Sequence, residues 1–184
     1  ENVMWMATQT RARTLTFGFH QDSDFRAAEP RLNWPSGTEF RLFHGGEARV
    51  VRTRLLGHHM VYPALAAAAV AAGVGVQLDD AIPRIQELPP TPGRMELMPL
   101  ENGAVLLCDY FKSGLETIYA ALNLLESIPA PRKIVVLGDV SEPPGPQGPI
   151  YKAIGRRVAE VASVAVFLSS QNQAYSSGAT RFTS

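Results

Sequence analysis

A proline-rich segment near the middle of the chain constrains its fold more than any other feature. Residues 88–93 are Leu-Pro-Pro-Thr-Pro-Gly, with three prolines and a glycine within six residues. Proline has no backbone N–H and disfavours helix in the residue before it, so neither a helix nor a strand continues easily through this segment. The segment therefore predicts a linker, and it divides the 184-residue chain into two units, residues 1–90 and 91–184.

The first unit has the pattern of strands followed by helices. Residues 14–56 alternate between apolar and polar side chains, and turn signals occur at Pro35-Ser36-Gly37 and His44-Gly45-Gly46. We expect antiparallel strands at residues 15–19, 25–33, 38–43 and 48–55. An alanine-rich helix should follow from Pro63 to Gly73, and a second helix should cover residues 78–88. This unit is predicted to be β-rich with a helical layer.

The second unit alternates between strands and helices. Apolar runs predict buried strands at residues 104–108, 133–137 and 164–168, separated by helices at residues 115–127 and 150–162. Such alternation is typical of an α/β fold with a mainly parallel, Rossmann-like sheet. Ligands of open sheets of this kind bind beyond the carboxyl ends of the strands. We therefore expect a site at the loops that follow these strands.

Three charged residues follow the predicted strands. Asp109 could accept hydrogen bonds from ribose hydroxyls or help to organise a metal–phosphate complex, and the alternative is a helix N-cap. Lys112 could meet a phosphate or a substrate carboxylate, and the alternative is a solvated surface lysine. Asp139 repeats the position of Asp109 at the next strand end. Arg94, just after the linker, places a permanent positive charge where it could reach a cleft between the units, unless it is an ordinary surface arginine.

Composition and missing motifs exclude several classes of protein. With 17 basic and 17 acidic residues the formal charge is zero, so we expect no nucleic-acid partner. Residues 61–76 are too short and too interrupted for a membrane span, and no signal peptide is expected. The single cysteine, Cys108, lies in an apolar run and predicts a buried thiol in a reducing, cytoplasmic compartment. The chain has neither the G-x-x-x-x-G-K-[ST] phosphate loop nor G-x-G-x-x-G, and His58-His59 lacks the spacing of a zinc site.

Six short motifs occur in an order that resembles one enzyme family. They are Thr16-Phe17-Gly18 with Asp22-Ser23-Asp24-Phe25, Gly37-Thr38-Glu39-Phe40, Leu56-Gly57-His58-His59 before an alanine run, Pro92-Gly93-Arg94-Met95-Glu96, Leu107-Cys108-Asp109-Tyr110, and Val136-Leu137-Gly138-Asp139-Val140-Ser141-Glu142. Together they resemble the Mur ligase family, and within it the MurF-type branch that adds D-alanyl-D-alanine. The resemblance runs from about residue 7 to residue 170 of this sequence.

The resemblance implies part of an ATP-dependent amide-bond ligase of peptidoglycan precursor synthesis that acts through an acyl phosphate. Residues 1–90 would be the end of the central ATPase domain, and residues 91–184 the carboxy-terminal, glutamate-ligase-like domain. ATP and Mg²⁺ would be cofactors of the longer protein, and a small amino acid or dipeptide would be the amine substrate. The phosphate loop would lie outside this chain, so the 184 residues alone should be inactive.

Residue roles are also implied by the resemblance. Arg94 matches the junction arginine that reaches the ATP phosphates, and Lys112 lies in the loop that meets the amine substrate. Asp109 matches the aspartate near the nucleotide ribose, whereas His59 and Asp139 match further nucleotide-site positions.

Departures from the family pattern leave alternatives open. Met60 and Pro63 replace asparagines that help to hold adenine, and Gly114 ends an altered strand-end loop. The alternatives are a divergent pseudo-ligase that acts as a binding or scaffold protein, and a ligase of the folylpolyglutamate or cyanophycin type.

Overall fold

The computed structural model describes residues 4–182, and strands and helices occur in both halves of the chain. The first half contains β1 (Phe17–Gly18), β2 (Phe25–Asn33), β3 (Gly37–His44), β4 (Glu47–Thr53), and helices α1 (Met4–Ala7), α2 (Val61–Gly73) and α3 (Leu78–Glu87). The second half contains β5 (Glu96–Pro99), β6 (Val105–Cys108), β7 (Ile134–Leu137), β8 (Val164–Phe167), and helices α4 (Leu115–Ser127), α5 (Gln147–Val161) and α6 (Asn172–Gly178). Within the described range, no helix is both long enough and apolar enough to cross a membrane.

The first half forms a four-stranded sheet in the order β1-β2-β3-β4. The pairs β2–β3 and β3–β4 are antiparallel, as predicted. The prediction for β1 is wrong in direction and length, because only two residues pair and they run parallel to β2. Asp24 explains the difference. Its carboxylate accepts hydrogen bonds from the backbone N–H and the hydroxyl of Thr16, at 2.7 Å each. These bonds hold the start of β2 beside β1.

Alternation along the strands places one set of apolar side chains against α2 and α3. The alanines of α2 leave little side-chain bulk between helix and sheet, so the two layers pack closely. The resulting core consists of Phe25, Ala27, Phe40, Leu42 and Val51 from the sheet and Val61, Ala64, Leu65, Ala68, Ala69, Leu78, Ile82 and Ile85 from the helices.

The linker and the strands after it differ in part from the prediction. Residues 88–95 form neither helix nor strand, which confirms an irregular connection. The predicted strand at residues 104–108 exists as β6, but it pairs antiparallel with β5, a strand that the sequence did not predict. It is also not buried, because Val105 and Leu106 are exposed. A tight turn through Gly103 joins the two strands, so they form a local hairpin.

The remaining part of the second half has the expected parallel, mixed α/β architecture. Strands β7 and β8 pair in parallel, with Ile134 opposite Val164 and Leu137 opposite Phe167. Helices α4 and α5 pack on the face that carries Val135, whereas Ile134 and Val136 on the other face are exposed. The core of this half contains Ile118, Leu122, Val135, Val140, Tyr151, Ile154, Val158, Ala162 and Tyr175.

A third apolar cluster joins the two halves. Leu56 after β4, Met95 after the linker, and Leu124 and Ile128 at the end of α4 are buried together. This cluster sets α4 beside the first sheet and fixes the position of the turn around Met95. The candidate site is built around that turn.

Candidate functional site

Arg94 lies in a tight turn between the linker and β5. Its neighbours Gly93 (φ 68°) and Met95 (φ 50°) both have left-handed backbone, which is costly for a residue other than glycine. The N–H of Gly93 donates to a carboxylate oxygen of Glu96 at 2.9 Å, and the N–H of Arg94 donates to the carbonyl of Thr91 at 3.0 Å. These hydrogen bonds and the burial of Met95 maintain a turn that projects the half-buried Arg94 side chain.

Asp109 follows β6 directly, and its carboxylate lies against the same turn. It is half-buried, accepts a hydrogen bond from the backbone N–H of Met95, and lies within electrostatic range of Arg94. Burial raises the pKa of Asp109 above its usual 3.8, while the Met95 hydrogen bond and the Arg94 charge oppose this shift. Asp109 is not a helix cap, because α4 begins after Gly114 without a side-chain capping bond. The structure therefore brings together a cation suited to phosphate and a carboxylate suited to ribose hydroxyls.

Two exposed aromatic residues complete this cluster. The ring of Tyr110 covers Gly93 so closely that an added Cβ would lie 2.9 Å from it. The N–H of Phe111 donates to the carbonyl of Gly93 at 3.2 Å, and the Arg94 guanidinium lies 4.6 Å from the centre of the Phe111 ring. Reasoning from the sequence missed both aromatics, although two adjacent aromatic residues directly after a strand-end aspartate were a visible signal.

Lys112 continues the strand-end loop, and its side chain reaches another loop. Its ammonium forms an ion pair with Glu142 at 3.0 Å, and the N–H of Ser141 donates to the carbonyl of Ser113 at 2.7 Å. Both charged side chains are largely exposed, so the pair adds little stability and is open to exchange with a ligand. The loop after β6 and the loop after β7 are thus held together, as expected for strand-end loops.

Asp139 lies at the carboxyl end of β7 and contacts the end of β8. Its carboxylate accepts a hydrogen bond from the hydroxyl of Ser169, and that hydroxyl oxygen accepts one from the N–H of Gln171. Parallel pairing of β7 with β8 brings these two strand ends side by side. Asp139 is exposed, so its carboxylate is also open to solvent.

Two buried tyrosines hold the backbone of this loop. The hydroxyl of Tyr175 donates to the carbonyl of Gly138 at 3.0 Å, and the hydroxyl of Tyr151 accepts a hydrogen bond from the N–H of Val140 at 2.9 Å. Burial, together with the nearby Tyr151 and Asp139, raises the pKa of Tyr175 far above its usual 10, so the hydroxyl stays protonated as a donor. The sequence did not predict this support, because α6, which carries Tyr175, was not recognised.

His59 lies in a different place from the strand-end loops. It lines a cleft of about 340 Å³ between the first sheet and α4, together with Thr38, Gly57, Asn123 and Ser127. Burial, and to a lesser degree the neighbouring His58, lower the pKa of His59 below 6.5. Asn123 and Ser127 lie near the end of α4, whereas Lys112 precedes its start, a separation of roughly 15 Å along the helix axis. The structure does not bring His59 into the cluster that contains Lys112.

The two positions that depart from the family pattern lie at the start of α2. Met60 ends a short 3₁₀ turn, and Pro63 is in the first turn of the helix. Beside them, the rings of Phe19 and His58 stack with centres 4.2 Å apart, and Tyr62 meets Phe19 edge-on at 5.2 Å. This aromatic cluster was not predicted, because Phe19 is distant along the chain from His58 and Tyr62.

A metal site was not predicted for these residues. Over residues 4–182, no group of three or more histidine, cysteine, aspartate or glutamate side chains is arranged to hold a metal ion.

Comparison with known proteins supplies independent evidence. No protein-family model matches the chain. It is 28% identical over 153 residues to the UDP-N-acetylmuramoyl-L-alanyl-D-glutamate–2,6-diaminopimelate ligase of Geobacillus kaustophilus, an alignment that covers 83% of this chain and 31% of that protein. It is 33% identical over 121 residues to the UDP-N-acetylmuramoyl-tripeptide–D-alanyl-D-alanine ligase of Escherichia coli, covering 66% of this chain and 26% of that protein.

Solved structures agree with these relatives. MurF from Acinetobacter baumannii matches with a TM-score of 0.81 and 25% identity, over 90% of this chain and 36% of that one. The fold also matches MurF ligase from Thermotoga maritima in complex with ADP, with a TM-score of 0.74 and 15% identity over 98% of this chain. The chain therefore spans only about a third of the length of the curated relatives it matches, but those matches extend over most of its own length. The predicted resemblance to the Mur ligase family is therefore confirmed, in sequence by these relatives and in fold by these structures.

Proposed function

We propose that the chain forms the nucleotide-facing part of an ATP-dependent ligase that makes an amide bond in cytoplasmic peptidoglycan precursor synthesis. The observation that carries the proposal is the cluster of Arg94 and Asp109 at the turn between the two halves. A guanidinium binds phosphate oxygens through charge-assisted hydrogen bonds, and a carboxylate accepts hydrogen bonds from ribose hydroxyls. Support also comes from the names of the relatives, which are ligases of UDP-N-acetylmuramoyl peptides, and from the ADP in one MurF structure.

The reaction proposed has two chemical steps. Transfer of the γ-phosphoryl group of ATP to a substrate carboxylate gives an acyl phosphate and ADP. The amine of an amino acid or dipeptide then attacks the acyl carbon, so that an amide forms and phosphate leaves. Arg94 would offset the negative charge that develops on the phosphoryl oxygens.

Other residues of the chain would bind the two substrates. Asp109 would hold the ribose, and Asp139 would contribute a further contact to the nucleotide. His59 would contribute one only from the separate cleft beside α4, because the structure does not place it among the strand-end loops. Lys112 would bind the carboxylate of the incoming amino acid or dipeptide, after exchange of its present partner Glu142. This role suits an exposed ammonium whose existing ion pair is weak.

Magnesium would enter with the nucleotide. Mg²⁺ keeps several waters and is usually bound through substrate phosphates and one or two carboxylates, so it does not need a cage supplied by this chain. The fit of ATP itself depends on Arg94, whose side chain is partly open to solvent, and on the half-buried Asp109 acceptor.

The proposed domain assignment is supported by the order of the motifs and by the small share of each relative that this chain covers. We assign residues 1–90 to the end of the central ATPase domain and residues 91–184 to the carboxy-terminal domain, with the phosphate loop in a part of the enzyme that this chain does not contain. The 184-residue chain alone should then release no phosphate from ATP.

A pseudo-ligase that binds a partner without catalysis is the second candidate. The observation that favours it is the pair Met60 and Pro63, neither of which offers the side-chain amide of the family asparagine. Each lost hydrogen bond to adenine would weaken discrimination of the base by about 0.5–1.5 kcal/mol. A ligase of the folylpolyglutamate or cyanophycin type remains a third candidate, since it would differ in the substrates rather than in the nucleotide cluster.

Calorimetric titration with ATP and Mg²⁺ tests the nucleotide assignment. The complete gene product should bind ATP, and Arg94→Ala should weaken binding by about tenfold or more, because a charge-assisted hydrogen bond contributes about 1.5–3 kcal/mol. Arg84→Ala is the matched control, since Arg84 lies on α3 with most of its side chain exposed and pairs only weakly with Glu87 at 3.5 Å.

Each outcome separates the candidates. Binding that depends on Arg94 but not on Arg84 supports the ligase. An absence of ATP binding favours the pseudo-ligase, and equal effects of the two substitutions would contradict the role of Arg94.

A further inference from the structure

Phe111 occupies an unusual position for a large apolar side chain. Its ring is 68% exposed, so burial in a core does not explain its placement. One neighbour is charged: the guanidinium of Arg94 lies 4.6 Å from the ring centre, a distance at which a cation interacts favourably with an aromatic face.

Backbone contacts join the segment that carries Phe111 to the turn that carries Arg94. The N–H of Phe111 donates to the carbonyl of Gly93, and the Asp109 carboxylate accepts the N–H of Met95. Gly93 and Met95 are the residues on either side of Arg94, so the strand end and the turn are joined directly before and after it. The backbone of Phe111 is therefore held by contacts that flank the backbone of Arg94.

The contact with Phe111 supplies no conventional hydrogen-bond acceptor to the guanidinium. An aromatic ring attracts a cation through its π-electron face, whereas a phosphate accepts hydrogen bonds from the five guanidinium N–H groups. Among residues 4–182, no carboxylate forms an ion pair with Arg94 within 4.0 Å. The ring thus restricts the rotamers of the arginine without occupying the donors that a phosphate would need.

From this geometry we propose that Phe111 is the positioning residue that holds Arg94 ready for the phosphate groups of the nucleotide. The inference rests on the proposed function, because it gives Arg94 a phosphate to bind. It identifies an aromatic ring, rather than apolar bulk, as the requirement at this position, since only a ring has a face that attracts a cation. Phe111 does not itself contact the reacting atoms.

Steady-state kinetics of the complete gene product test this role. Phe111→Leu should raise KM for ATP by about two- to fivefold, the change that corresponds to loss of an exposed cation–π contact. Phe111→Tyr should keep the wild-type KM, because tyrosine retains the aromatic face. KM for the amine substrate should not change in either variant. Phe17→Leu, at a partly exposed phenylalanine in β1, is the control for loss of an aromatic ring elsewhere.

A double-mutant cycle distinguishes failure of this inference from failure of the proposed function. In an Arg94→Ala background, Phe111→Leu should have no further effect on KM for ATP. If Arg94→Ala itself leaves ATP binding unchanged, the proposed function fails. If Arg94→Ala weakens binding but Phe111→Leu does not, or if Phe111→Tyr is as impaired as Phe111→Leu, the positioning role is wrong. Calorimetric binding of ATP supplies the same comparison for any variant that lacks turnover.

Discussion

The protonation of His59 links one residue of the candidate site to the stability of the chain. Because burial and His58 lower its pKa in the folded state, the unfolded chain binds a proton more readily. Above pH 6.5, the usual pKa of histidine, His59 is mostly neutral in both states and does not reduce the free energy of unfolding. Below pH 6.5 the free energy of unfolding should fall, until the pH has passed the lowered pKa of the folded state. His59→Gln should reduce this loss between pH 7.5 and 5.5, as measured by urea unfolding of the 184-residue chain.

His20→Gln provides the matched comparison for that measurement. The side chain of His20 is 75% exposed, so this variant shows how far the replacement of a surface histidine alters the measured stability. The raised pKa of Asp109 acts in the opposite sense. The stability that it contributes is present below pH 3.8, the usual pKa of aspartate, and is lost as the pH rises through the raised pKa of the folded state. Equal slopes for wild type and His59→Gln would contradict the burial effect.

At the residue scale, the sequence indicated candidate residues but not the contacts between them. Arg94 and Asp109 were recognised as candidates because motif and strand-end position are both visible in the sequence, and the structure brings them together at one turn. The contact of Phe111 with Arg94 and the left-handed backbone of Met95 were not predictable, because both depend on a β5–β6 hairpin that aligns residues 93–96 with residues 108–111.

Helices α5 and α6 illustrate the element scale, because two glycines allow their close contact. A Cβ at Gly155 would lie 2.0 Å from the carbonyl oxygen of Tyr175, and one at Gly178 would lie 2.0 Å from that of Lys152. Gly155→Ala should therefore separate the helices and lower the free energy of unfolding by about 1–3 kcal/mol, the usual cost of overpacking. Denaturant unfolding of the 184-residue chain measures this change.

Gly148→Ala in the same helix is the control for that prediction. No atom lies within 4 Å of its added Cβ, so the substitution should be neutral or stabilising by up to about 1 kcal/mol through the better helix propensity of alanine. A destabilisation of the same size at both glycines would contradict close packing as the cause, because the Cβ added at Gly148 meets no neighbouring atom.

Elements with a clear period were predicted well, and short ones were not. The limits of α4 agree with the predicted residues 115–127, because its apolar residues recur at helical spacing. Strand β5 has four residues and follows a turn, and α6 has seven residues with several polar side chains, so neither gave a distinct period. Strand direction also depends on partners: β1 pairs in parallel because Asp24 holds it, which no local pattern could indicate.

At the scale of the whole molecule, the proline-rich linker does not separate two independent bodies. The cluster of Leu56, Met95, Leu124 and Ile128 packs the halves against each other directly after the linker. The turn that carries Arg94 is part of this contact, since Met95 contributes a buried side chain to it. The candidate site therefore depends on the contact between both halves. The sequence predicted the boundary at residues 88–93 but not this contact.

The fold class could be predicted from the sequence. Composition, however, does not indicate how much of a complete ligase this chain represents. Motif order indicated a resemblance to one family, and the comparisons confirm that resemblance. The chain covers 31% or less of the two curated relatives described above. Catalysis as proposed therefore requires residues beyond those that build the Arg94 turn.

Phosphate release by the complete gene product tests the central claim most directly. With Mg²⁺ present, the ligase proposal predicts release only when ATP, a UDP-N-acetylmuramoyl peptide and an amino acid or dipeptide are all supplied, and it predicts loss of that release in Arg94→Ala. The 184-residue chain should release none under the same conditions. A complete protein that binds ATP but never couples its cleavage to amide formation, or release by the 184-residue chain alone, would contradict the proposal.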